Sequence, residues 1–398
     1  MPLILPQEYI HTLESYLDIT DLSGLGVRRY AEAVGRISHG LTKEHESYVT
    51  SRYLKDEETR KAYLLYYSTI NLLKIWPPLR ELSRSGFFAG KGTLRHLDLG
   101  SGPGTATWGL ATYLKEEQPS IAQLVTRSTD ALKENLRLVE QFARLFSKQI
   151  SPLEVRLTTA PLDLSNLNAN EADSSIHDLI TMMNVLAELD DEHDAAIIEL
   201  LSNKLTEAGA IVMIEPSRKS ESRRALRFRD RMAAAGFNVY APCCKTGSCP
   251  ALEDEGNWCH TEIDWQRPDF IREIDDRVGT LRLSLKSTYV VFLKRDFNVS
   301  DTFRAGRDFA KTGRVVSELF KEKGRARMFI CNERGRREYV LNKRDKSPTN
   351  SDVLKTARYD LVQIEGVEER EHDVKIGGEA VFHTLISAEG CENVDKLD

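Results

Sequence analysis

The apolar run 94–99 passes without a break into Gly100-Ser101-Gly102-Pro103-Gly104-Thr105, and this passage constrains the fold of the 398-residue chain more than any other. A strand that turns at once through G-x-G-x-G into a helix start has little freedom. Glycines let the backbone turn tightly and approach a ligand closely, because no Cβ intervenes. The helix start then offers unpaired N–H groups and a partial positive charge to a carboxylate or phosphate. A dinucleotide fingerprint needs its third glycine three places after the second. Here it comes two places after, and an acid, Asp98, stands two before the first.

The rest of the chain fits an α/β reading. Up to residue 90 apolar positions recur at helical spacing through Tyr63, Leu64, Tyr67, Ile70, Leu73, Ile75 and Leu79, with Pro77-Pro78 as an interruption. Beyond it, strands are expected at 94–99, 123–126, 155–158, 179–182, 210–214 and 237–241, with a closing strand at 289–293. Strands alternating with helix-length segments signal a mostly parallel, doubly wound sheet. The expected regions are a helical stretch 1–90, a ligand-binding α/β domain 91–298 with a cysteine-rich insertion at 242–286, and a C-terminal region 299–398 rich in strands. No apolar run nears the roughly 18 residues of a membrane span. The first twenty residues carry Glu8, Glu14 and Asp18 and no basic-then-apolar leader, so a bacterial cytoplasm is expected, with the mitochondrial matrix as alternative.

Charge is unevenly spread. The net charge is −6, yet 301–350 holds 14 Lys/Arg against 7 Asp/Glu, and 218–231 (RKSESRRALRFRDR) holds seven against two. The last 38 residues hold ten acids and three bases. An acidic body with two basic stretches reads as one that offers a face to a polyanion. Arg218, Arg223, Arg224, Arg227, Arg325, Arg327, Arg336 and Arg337 are the candidates for RNA contact.

None of the six cysteines lies before residue 243. Cys243, Cys249, Cys259 and Cys331 follow C-x5-C-x9-C-x71-C, with Cys244 as rival for the first place and Cys391 near the end. Clustered thiols in a reducing compartment point to a metal. Structural zinc prefers tighter pairs, and a cubane iron–sulfur cluster also takes four thiolates. By spacing alone iron–sulfur, zinc and unliganded cysteines all stay open. His260 reads as a supporting hydrogen bonder or a surface residue.

The glycine loop resembles motif I of class I S-adenosylmethionine-dependent methyltransferases, which have a Rossmann-like α/β fold. The resemblance implies a cofactor site at Asp98, Gly100, Ser101, Gly102, Gly104 and Thr105, with Asp163 at the adenine amine and Asn184 at the end of the fourth strand. At the end of the second strand it implies an acid for the ribose, where the sequence offers Thr126. Ala208-Gly209-Ala210 reads as the turn into the fifth strand. The Asn/Asp-Pro-Pro-Tyr turn of base-amine methyltransferases is absent, Asn184-Val185-Leu186-Ala187 standing there instead, and no cysteine lies near the fourth strand. No catalytic residue is assigned.

Taken in order, the glycine loop, Glu215-Pro216-Ser217, the basic stretch behind it, Ala241-Pro242-Cys243, Cys249-Pro250, Trp258-Cys259-His260, Lys323-Gly324-Arg325 and Phe329-Ile330-Cys331 resemble the methyltransferase-like family of the mitochondrial small ribosomal subunit and its bacterial relatives. The likeness runs from about residue 48 to 346. It implies a methyltransferase-fold protein with a [4Fe–4S] cluster on Cys243, Cys249, Cys259 and Cys331, which binds the small ribosomal subunit and its rRNA during maturation and supports translation. Active rRNA methylation, and methylation of a protein or small molecule, are the alternatives.

Overall fold

The computed structural model describes residues 2–19, 22, 24–43, 53–167, 175–245, 247–294 and 311–388. Cys391 and the first ten residues of the basic stretch 301–350 lie outside them. The chain divides into two compact units, 2–215 with 263–285 and 216–262 with 286–398, a division that cuts across the three regions expected from sequence. Among the described residues no helix is long and apolar enough to cross a membrane.

The first unit opens with helices α1 (Gln7–Leu17), α2 (Gly24–Lys43), α3 (Glu57–Tyr63), α4 (Thr69–Leu72) and α5 (Trp76–Arg84). Asp56 caps α3, its carboxylate accepting the Thr59 N–H at 2.7 Å. Pro77 and Pro78 start α5, where missing N–H groups cost nothing. Next come β1 (Thr93–Leu99), α6 (Thr105–Glu117), β2 (Gln123–Asp130), α7 (Lys133–Phe146), β3 (Glu154–Pro161), β4 (His177–Met183), α8 (Asp194–Lys204) and β5 (Leu205–Pro216). These strands lie parallel in the order β3-β2-β1-β4-β5. This is the methyltransferase-like α/β fold.

Several strands run longer than expected, β2 and β5 among them. β2 continues four residues past Thr126 because its polar tail is satisfied: the Thr129 hydroxyl donates to the Asp98 carbonyl at 3.1 Å, and Ser128 lies 3.4 Å from Thr107. β5 begins at Leu205, so Ala208-Gly209-Ala210 is strand and not turn.

The second unit holds α9 (Lys219–Ala234), β6 (Asn238–Ala241), the first two residues of β7 (Thr261–Asp264) and all but the first two of β8 (Ser284–Leu293), with β6 antiparallel to β8. A second sheet follows, built from β9 (Thr312–Val315), β10 (Phe320–Glu322), β11 (Arg325–Asn332), β12 (Gly335–Asn342), β13 (Leu361–Glu365), β14 (Glu368–Glu369), β15 (Val374–Ile376) and β16 (Val381–Ile386). Its order is β14-β15-β12-β11-β9-β13-β16, with β10 on β11. Strand alternation puts Met328, Ile330, Tyr339 and Leu341 into one apolar cluster with Val362, Ile376 and Phe382. The opposite face of β11 carries Arg325, Arg327, Phe329 and Cys331.

In the first sheet, His96 on β1 ties three strands together. Its Nδ1 lies 2.9 Å from the Thr126 hydroxyl on β2, and its Nε2 lies 2.9 Å from the Thr181 hydroxyl on β4. Burial, reinforced by His177, pushes its pKa down to about 3. The folded state keeps this imidazole neutral while the unfolded chain takes up a proton below about pH 6.5. Stability therefore falls as pH drops below 6.5, by up to about 1.4 kcal/mol per pH unit. Urea denaturation of the protein and of His96→Gln from pH 7 to pH 4 checks this: the difference between them should shrink on acidification, and a constant difference would refute a buried neutral imidazole.

Candidate functional site

A cavity of ≈ 460 Å³ lies in the first unit, lined by the β1–α6 loop, the ends of β2 and β4, residues 162–165 and the tyrosines Tyr53 and Tyr63. Gly102 has φ 51°, and nothing stands within 4 Å of where its Cβ would be, so its missing side chain is open space. Gly104 has φ 83°, and a Cβ there would meet the Trp108 indole at 2.8 Å. Gly100, Ser101 and Thr105 also line the cavity, the Thr105 hydroxyl donating to Ser68 at 3.0 Å.

Strand-end carboxylates hold this loop. Asp98, buried at the end of β1, accepts the hydroxyls of Thr107 and Thr181, both at 2.8 Å, and the Thr107 N–H at 3.3 Å. Burial still pushes its carboxyl up to about 6. Asp130 ends β2 and accepts the Gly102 N–H at 2.8 Å, the Leu132 N–H at 2.8 Å and the Asn135 amide at 3.1 Å. Thr126 is absent from the cavity lining: it sits mid-strand, 1% exposed, bonded to His96. The acid at the ligand-facing end of β2 is thus Asp130, four residues beyond the sequence-based choice. An acid placed directly before the helix-forming run 132–146 was the signal that could have found it.

Asp163 lines the cavity and accepts the Ser165 N–H at 3.0 Å and hydroxyl at 2.6 Å. Asn184 follows β4 at φ 59°, a left-handed conformation that asparagine tolerates better than most residues. Its side chain bonds Tyr63. The next turn is gripped by Glu215, whose carboxylate accepts the N–H groups of Val185 at 3.0 Å, Leu186 at 2.8 Å and Ala187 at 3.1 Å. This places Glu188 in the lining, with its side chain exposed. Tyr53 and Tyr63 carry no motif of their own, and only the fold brings them here. Among the described lining residues five are carboxylates, Asp98, Asp130, Asp163, Glu188 and Asp190, and none is lysine or arginine.

In the second unit a smaller pocket is lined by Cys243, Cys249, Cys259 and Cys331, together with Trp258, Arg229, Arg314, Arg336 and Tyr359. Cys243 lines it and Cys244 does not. The five described cysteines are free thiols. Burial raises the thiol pKa of Cys259, of Cys331 and of Cys249, the last to about 12, and neighbouring cysteines add to each shift. Among the described residues no three cysteine sulfurs lie mutually within 4.8 Å.

Arginines shape the walls. Arg223 donates to the carbonyls of Ala251 (3.0 Å), Leu252 (3.3 Å), Asp254 (2.9 Å) and Asn257 (2.8 Å). Arg229 donates to the carbonyls of Lys245 and Gly247, and Arg314 to those of Pro242 (2.9 Å) and Tyr359 (3.0 Å). The Asp230 carboxylate accepts the Cys249 N–H at 3.0 Å. The Tyr359 hydroxyl lies 3.4 Å from the Cys259 sulfur.

This corrects part of the RNA-contact set. Arg223 is occupied by loop carbonyls, and Arg224 is buried with its guanidinium 6.0 Å from the Phe228 ring. The irregular loop 242–260 leaves carbonyls that need donors, and the two inward positions of α9 meet that need and the packing behind it. Arg218 and Arg227 are exposed, Arg218 paired with Glu221. Arg325 pairs with Glu322, Arg327 with Glu322 and Glu338, and Arg337 with Glu369. Arg336 donates to the Asn257 side chain at 2.9 Å.

The family model for mitochondrial small ribosomal subunit Rsm22 matches residues 92–360. No curated protein matches the sequence. Similar solved structures include a methyltransferase from Pyrococcus furiosus (12% identity, 54% of this chain and 83% of that one, TM-score 0.31). A TehB-like SAM-dependent methyltransferase from Corynebacterium glutamicum is 14% identical, over 56% of this chain and 98% of that one, with TM-score 0.30. The YcgJ protein from Bacillus subtilis is 16% identical, over 56% and 100%, with TM-score 0.33.

Arg223→Gln removes a charged donor shared by four carbonyls, at a cost of about 2 kcal/mol or more. Thermal melts should show that loss, and limited proteolysis should cut faster within 242–260. Unchanged protection of the loop would show that the arginine does not hold it.

Proposed function

The chain belongs to the family described as mitochondrial small ribosomal subunit Rsm22, and from that premise we propose that it is a maturation factor of the small ribosomal subunit which binds rRNA through its second unit. That unit carries a [4Fe–4S] cluster on Cys243, Cys249, Cys259 and Cys331, and the first unit holds S-adenosylmethionine. The family's name favours the mitochondrial matrix over a bacterial cytoplasm.

The observation that carries this reading is the four-cysteine pocket, assembled from the loop 242–260 and β11 in the unit that also contains both basic stretches. The donor set, four thiols and no histidine, suits iron and sulfide. Such a cluster supplies a cross-link, tying β11 to the loop and holding the arginine-bearing face of the sheet rigid. Rigid cationic and planar groups suit RNA, whose contacts go largely to phosphates, 2′-hydroxyls and unstacked bases.

The first cavity suits the cofactor. Its carboxylates complement a sulfonium; in this reading Asp130 takes the ribose hydroxyls, Asp163 the adenine amine, and the N–H groups at the α6 start a carboxylate, all from positions that line the cavity. The same carboxylates, with no lysine or arginine in the described lining, repel a polyanionic acceptor. We therefore assign RNA contact to the second unit and favour binding over rRNA methylation.

Protein purified without oxygen should contain about four irons and four sulfides per chain, and Cys331→Ser should lose them. Zinc without sulfide overturns the cluster, and failure to co-sediment with small subunits at low salt overturns the ribosomal reading. Calorimetric titration should detect S-adenosylmethionine binding, weakened tenfold or more by Asp130→Asn, about 1.4 kcal/mol. Equal affinity in that variant refutes the assignment of Asp130.

A further inference from the structure

Resting on the RNA-binding reading, we propose that Trp258, Phe320 and the arginine planes between them form a stacking track for unpaired bases of single-stranded RNA. Trp258 is 39% exposed and stacks on His260 at 6.0 Å with an 18° interplanar angle. Phe320 is 38% exposed, and the Arg327 guanidinium covers it at 4.7 Å. Between these ends, Phe329 lies on the same face of β11 as Arg327, and the Arg336 guanidinium lies 4.2 Å from its ring. Arg336 in turn bonds Asn257, the neighbour of Trp258. One path of aromatic and guanidinium faces thus runs along the second unit, with a large open ring at either end.

The arginines of this path are held as planes. Glu322 and Glu338 fix Arg327, while Phe329 and Asn257 fix Arg336. Arg327 has its charge met by two carboxylates, Arg336 is held by a neutral amide and a ring, and what each presents is a flat cation of fixed orientation. Flat aromatic and guanidinium surfaces receive splayed bases of any identity. A duplex keeps its bases stacked inside and cannot use them. The track therefore selects single strands over helices with little regard for sequence.

The test uses the full chain, an unstructured RNA of about 12 nucleotides and a hairpin of equal length. Trp76, Trp108 and Trp265 are buried, so quenching of tryptophan fluorescence on RNA binding reads Trp258. The single strand should quench it and the hairpin should not. Trp258→Ala and Phe320→Ala should each weaken single-strand binding roughly 5- to 100-fold, the range of one lost base stack, with hairpin affinity unchanged. Trp258→Phe should restore most of the loss, and metal content and melting temperature should match the parent. Unchanged single-strand affinity in both alanine variants overturns the track while leaving RNA binding intact. Loss of metal in Trp258→Ala together with equal losses for both RNAs also overturns it, since Trp258 would then be a cover for the cysteine pocket. A parent that binds neither RNA refutes the RNA-binding reading itself.

Discussion

The cavity of the first unit exists because buried carboxylates at strand ends grip backbone N–H groups of the neighbouring loops. Asp98 holds Thr107, Asp130 holds Gly102, and Glu215 holds three successive residues after β4. Each loop would otherwise leave unpaired donors inside the protein, at the cost of a lost hydrogen bond apiece. The geometry of the cavity is therefore set by acids whose own positions are fixed by the parallel sheet. Acids used in this way also make the cavity negative, so the device that shapes the site also restricts what can enter it.

The second unit solves the complementary problem with the opposite charge. Its long irregular loop leaves carbonyls in place of N–H groups, and Arg223, Arg229 and Arg314 satisfy seven or more of them between one helix and one strand. A stretch that reads from sequence as a polyanion-binding helix is in part a scaffold. What remains for a partner is the exposed side of α9 and the outer face of the second sheet, where arginines are paired with acids or laid on aromatic rings.

The approximate positions of the strands, the glycine turn and the four thiols were legible because each depends on short-range pattern: apolar runs, glycine spacing, cysteine spacing. Thr126 was misplaced because the tail of β2, Arg127-Ser128-Thr129-Asp130, has the composition of a loop, and only buried neighbours make it a strand. Ala208-Gly209-Ala210 failed similarly, a turn by local propensity that the sheet extends through. Tyr53 and Tyr63 reach the cavity from a part of the first unit distant in sequence from the glycine loop, a convergence no local pattern records. The inward use of Arg223 and Arg224 was equally hidden, since helical periodicity in a stretch of alternating arginines does not say which face the loop will cover.

Cys331 lies 72 residues beyond Cys259, on a central strand of a sheet in which β12 to β16 come still later. A ribosome making this chain at about 5–20 residues per second delivers the first three thiols several seconds before the fourth. During that interval the loop has arginine clamps from α9 but lacks Arg314, Tyr359 and the strand that closes the pocket. Completion of the site is therefore a late event in the life of the nascent chain, contingent on the C-terminal sheet. A chain released before Cys331 carries the loop and its thiols without the strand that closes the pocket.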